Sequence, residues 1–93
     1  MTEQQLFSKL EKFTFDGKLI PPYMHNALIG YIVFRKTPGD FLSALLSNNL
    51  KLTIQCADDN NIDRLHVYVA FLCTYAPAQC WGSKENFQKW IKS

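Results

Sequence analysis

Histidine, cysteine and carboxylate side chains are where chemistry would have to begin in this chain, which holds two, three and eight of them. Cys56, Cys73 and Cys80 are odd in number and lack C-x-x-C spacing. A zinc site would have to gather four ligands from these three and from His25 and His66, all scattered along the sequence. The plainer expectation is a set of thiols buried as small hydrophobes, with Cys80, beside Trp81, the most exposed. Hydrolysis would need a nucleophile, a base and an orienter in one cleft. Each histidine sits instead in an apolar helical segment, where a hydrogen-bonded packing role is expected. Asp58-Asp59-Asn60-Asn61 invites calcium, but it lacks the alternating acids, central Gly and closing Glu of an EF-hand loop. The four glycines are isolated, so no loop is built to cradle phosphate. These absences point to a protein that is not an enzyme and needs no metal or cofactor.

The elements that would position any site follow from pattern. With 47% apolar and 19% charged residues, the 93-residue chain reads as one globular domain, 1–93. No apolar run approaches the roughly 20 residues that span a bilayer. The N-terminus, MTEQQLFSKLEKF, lacks the layout of a signal peptide, so the expected location is the cytoplasm, with reduced cysteines. Ile62 to Ala76 is apolar nearly all round from Leu65 onward, which predicts a buried central helix ending before Pro77. Asp58–Asn61 supplies its cap. Around it, Thr2 and Gln5 make a capping box for a first helix to Phe13. Phe15-Asp16-Gly17-Lys18 reads as a loop, its flanks too short for a stable hairpin. Pro22 starts a second helix to Phe34, in which Gly30 suggests a close crossing with the central helix and Arg35 and Lys36 complement the C-terminal dipole. Thr37 and Pro38 start a third, to about Ser47. Asn48 and Asn49 break the chain before a fourth, Leu50–Ala57, for which a strand is the competing reading because apolar residues alternate. Ser83 caps the last helix, Lys84–Ile91. The expected fold is all-α, a compact bundle of about five to six helices around residues 60–76.

Two binding surfaces compete. Tyr23, Arg35, Lys36 and Trp81 are candidate exposed anchors for another protein, being at peripheral turns and of, or beside, the types enriched at hot spots. Trp81 also has a bland role, plugging the core. Alternatively, residues 39–56 could form a helix-turn-helix that presents Asn49, Lys51, Thr53 and Gln55 to a DNA groove. A single lysine is thin for phosphate anchoring, and Leu50, Leu52 and Ile54 are expected to be used in packing. The ten Lys and Arg in a chain of net charge +2 form no stripe, as a nucleic-acid face would require. Self-assembly as a structural part is a third reading.

The strings IPPYMHNALIGYI, TPGDFLSALLSNNL, ADDNN…VAFLCTYAP and CWGSKENFQKWI resemble a family of small helical proteins encoded by phages and prophages. The resembling features are Pro21-Pro22, Pro38 to Leu50, Ala57 to Asn61, and Cys80 to Trp90, within residues 20 to 91. Lys84 stands where a proline is common and Tyr75 where a charged residue often does. The resemblance implies a phage setting and no established activity. It suggests an accessory protein that modifies host or phage machinery by binding a protein, inhibitors of host defence such as anti-CRISPR proteins included.

Overall fold

In a computed structural model describing residues 1–93, α1 (Glu3–Lys12), β1 (Thr14–Phe15), β2 (Lys18–Leu19), α2 (His25–Phe34), α3 (Asp40–Leu46), α4 (Leu50–Cys56), α5 (Asp59–Ile62), α6 (Leu65–Tyr75) and α7 (Lys84–Lys92) follow one another. The architecture is helical, with seven α-helices rather than five or six and one minimal hairpin. No helix is long and apolar enough to cross a membrane.

Local signals place most helix ends. Thr2 accepts from the Gln5 N–H and Gln5 reaches back to the Thr2 N–H, closing the capping box. Asn48, at φ 61°, donates to the Leu45 carbonyl while Asn49 donates to that of Ala44, the pattern of a Schellman turn. The Asn49 side chain then caps α4 through the Leu52 N–H. α4 is a helix, and the strand reading falls. Ser83 caps α7, and α6 stops at Ala76, before Pro77.

Elsewhere longer-range contacts overrule local pattern. The loop expected at Phe15–Lys18 is a two-residue-strand hairpin pairing Thr14 with Leu19 and Phe15 with Lys18. Asp16 and Gly17, at φ 57° and 73°, supply the left-handed turn that such a hairpin needs. α3 begins at Asp40 with Gly39 as its unassisted cap, not at Thr37-Pro38; the Pro38 carbonyl instead accepts from the Ser43 hydroxyl at 3.1 Å. The expected Ile62–Ala76 helix is broken at Asp63 and Arg64. Lys18 pairs with Asp63 at 3.0 Å, and Arg64 donates to the Leu19 carbonyl at 3.1 Å, so the hairpin draws both residues out of helical register. Asp58 accordingly caps α5, through the Asn61 N–H, and not α6.

α6 is buried on one face only. Val67, Tyr68, Phe71 and Leu72 have no exposure, whereas His66, Val69, Cys73 and Thr74 are open to solvent. Its inner face meets Leu6 and Leu10 of α1, Leu28 and Tyr31 of α2, and Leu42 and Leu46 of α3 in a single core. Two aromatic pairs, Phe13–Phe71 at 5.3 Å and Phe41–Tyr68 at 5.4 Å, fix the contacts in the edge-on geometry that ring quadrupoles favour. Tyr31 ties three segments together. It stacks on Phe87 of α7, donates to the Cys80 carbonyl at 2.5 Å, and offers its own carbonyl to the Trp90 indole at 2.8 Å. Burial raises the Tyr31 phenol well above its usual range, so it remains a donor.

Gly30 is not at a helix crossing. A Cβ there would lie 3.9 Å and 4.0 Å from two Lys36 side-chain carbons, an ordinary contact. Gly30→Ala is therefore expected to gain about 1 kcal/mol of helix propensity, seen as a melting temperature raised by roughly 4–8 °C. A lowered melting point would restore the crossing.

Candidate functional site

α4 is held to the body along one edge. Thr53 is its single buried residue, with its hydroxyl returned to the Asn49 carbonyl at 2.6 Å. Leu50, Leu52 and Ile54 are exposed, Leu50 by 67%, contrary to the packing role that the alternation suggested. The physical reason is geometric: every second residue of a helix turns through about 200°, so an alternating apolar row cannot share one buried face.

Between α4 and the outer face of α6 runs an open groove of about 750 Å³. Its walls are Leu50 and Thr53 of α4, Leu65, Val69 and Ala70 of α6, and Trp81, with Phe15 of the hairpin at one end. Trp81 is half-buried, resting on the core with one part and lining the groove with another. Gly82, at φ 98°, donates to the Leu46 carbonyl at 2.8 Å and so locks the Trp81 turn against the end of α3. His66 sits at the rim, 3.2 Å from the Asp16 carboxylate and edge-on to Phe15 at 5.8 Å. No serine, threonine or cysteine hydrogen-bonds to His66. What the groove offers is largely apolar surface, the Trp81 ring included.

The candidate residues fall in three places. Trp81 and Asn49 line the groove together, although they belong to different readings. Lys51 and Gln55 are exposed on α4 away from it, and Thr53 is buried rather than presented. Tyr23 is exposed and donates to Asp58 at 2.7 Å. Arg35 and Lys36 lie at the far end of α2, where Arg35 stacks on Trp90 at 3.7 Å. Residue pattern alone missed Phe15, Leu65, His66 and Val69 as groove walls; of the alternating row in α4 only Leu50 lines the groove.

The reactive side chains are apart. His25 is buried, with Nε2 3.0 Å from the Ile20 carbonyl, as a packed histidine should be, while His66 is exposed. Cys80 is buried, not exposed, and Cys73 is the exposed thiol, with Cys56 between them. Burial pushes the Cys80 thiol up to about 11, away from reactivity. No three His, Cys, Asp or Glu side chains gather as a metal would require.

The Tyr23 hydrogen bond and the Asn61 N–H hold the Asp58 carboxyl below the usual carboxylate range, because both favour its charged form. A depressed folded pKa contributes stability that is present above the unfolded pKa and lost as pH falls through the folded one. Tyr23→Phe is expected to lower the melting temperature at neutral pH, with the gap to wild type closing as acid protonates Asp58. Melts across the acid range check this; a gap that persisted at the acid end would break the link to Asp58.

No family model matches the chain, and no curated protein and no solved structure matches it.

Proposed function

We propose that this chain is a non-enzymatic accessory protein, of the phage type that its sequence resembles, which acts by binding another protein along the groove between α4 and α6. The observation that supports this most is the open apolar groove itself, walled by Leu50, Leu65, Val69 and Trp81 in so small a domain. Its partner would be an apolar or amphipathic helix. α6 lines the groove from Leu65 to Ala70, about 8 Å of helix, which matches some one and a half turns of a ligand helix laid alongside. Trp81 would be its aromatic anchor. Inhibition of host machinery or defence, as by anti-CRISPR proteins, is the role the resemblance suggests.

Apolar exposure on α4 favours protein over DNA. A recognition helix would set polar side chains against base edges and cations against phosphates. α4 offers Lys51 with three exposed aliphatics. The test is affinity capture from host lysate by wild type and by the Leu50→Asp, Val69→Asp double variant, beside a gel shift on random duplex at low salt. A discrete protein held by wild type and released by the variant supports the reading. Duplex binding that weakens steeply with salt and on Lys51→Ala would replace it with the helix-turn-helix.

A further inference from the structure

The Arg35 guanidinium lies 3.7 Å from the centroid of the Trp90 ring, and one carbonyl holds both the indole and the Arg35 backbone. The Tyr31 carbonyl accepts the Trp90 indole N–H at 2.8 Å and the Arg35 backbone N–H at 3.0 Å. Arg35 is itself the left-handed residue that ends α2, at φ 59°, and its Nη1 bonds the Ser93 hydroxyl. An arginine stacked in this way has its fork already oriented, and its remaining edge N–H groups suit a carboxylate bidentately.

Three exposed lysines are neighbours in sequence of the residues that form the stack. Lys36 follows Arg35, Lys89 precedes Trp90, and Lys92 precedes Ser93. The ion pairs of the molecule involve Lys18, Arg64 and His66, so no carboxylate lies within 4.0 Å of Arg35, Lys36, Lys89 or Lys92. The ends of α2 and α7 carry partial negative charge, which favours nearby cations. That attraction does not explain why Arg35 rests on an indole with no acid within ion-pair reach.

We propose that Arg35, stacked on Trp90, is a recognition site for a short acidic segment of a protein partner, with Lys36, Lys89 and Lys92, next to the stacked residues in the chain, adding positive charge. Four cations suit a few carboxylates better than a duplex, whose binding proteins spread roughly 6–10 phosphate contacts over their surface. The basic region is also short. At the other end of α2, about 15 Å away, Tyr23 meets Asp58. The inference rests on the protein-binding reading for the nature of its ligand, and adds that the partner carries negative charge.

Fluorescence anisotropy with a labelled oligoglutamate peptide tests it, with oligoglutamine and a duplex oligonucleotide as controls. Wild type binds oligoglutamate saturably at low salt and does not bind oligoglutamine. Arg35→Lys, which keeps the charge and loses the fork, weakens oligoglutamate binding about tenfold, the loss of one charge-assisted hydrogen bond. The Lys89→Gln, Lys92→Gln double variant, altered only at exposed positions, also weakens it. Val69→Asp leaves it unchanged, so the groove and the anion site fail or stand separately. Absence of saturable oligoglutamate binding, equal affinity in Arg35→Lys and wild type, or tighter binding of the duplex would each overturn the proposal.

Discussion

Phe71→Ala is expected to bring the domain to the edge of unfolding. Phe71 has no exposure and packs its ring against Phe13 at 5.3 Å and Tyr75 at 5.2 Å, on the inner face of α6. Removing a buried phenylalanine costs about 3–5 kcal/mol, the transfer term plus the cavity left behind. A domain of this size holds about 5–15 kcal/mol in total, so roughly a fifth or more of its stability goes. The melting temperature should fall by roughly 15–30 °C. Val69→Ala, two residues away on the outer face, should change it little. Equal losses at the two positions would show that α6 is not the one-sided centre of the fold.

The second large effect concerns binding. Leu50→Asp with Val69→Asp places a charge on each wall of the groove, at positions where both side chains are already exposed. Stability should stay within about 1 kcal/mol, because neither aspartate is buried in the free protein. Partner affinity should fall by well over tenfold, since docking would bury two unpaired carboxylates. Trp81→Ala should weaken binding by about 2 kcal/mol or more if the indole is the anchor. Calorimetric titration of the captured partner separates these from unfolding, which a melt would reveal.

What was legible in the sequence was what short-range chemistry decides. The Thr2–Gln5 box, the Asn48–Asn49 turn, the Ser83 cap and the stop at Pro77 each depend on neighbours within a few residues, and each stands where the pattern placed it. The break at Asp63–Arg64 was not legible, because its cause lies 45 residues earlier, at Lys18 and Leu19. Cys80 is buried for a similar reason: the Tyr31 hydroxyl donates to its carbonyl across 49 residues. The groove is harder still. Phe15, Leu50, Val69 and Trp81 come from four separate segments, and no short-range pattern brings the four together. The alternation of Leu50, Leu52 and Ile54 was visible, but it read as a choice between strand and helix rather than as exposed apolar surface.

Whether the α4–α6 groove docks a protein is tested most directly by site-specific photo-cross-linking. A photoreactive phenylalanine analogue replaces Val69 in one protein and Lys12, exposed on α1, in a control. In host extract the probe at 69 should give one discrete protein adduct, lost on Leu50→Asp in the same chain and absent from the control at 12. An adduct pattern identical at the two positions, or no adduct at 69 that Leu50→Asp removes, would contradict docking in the groove.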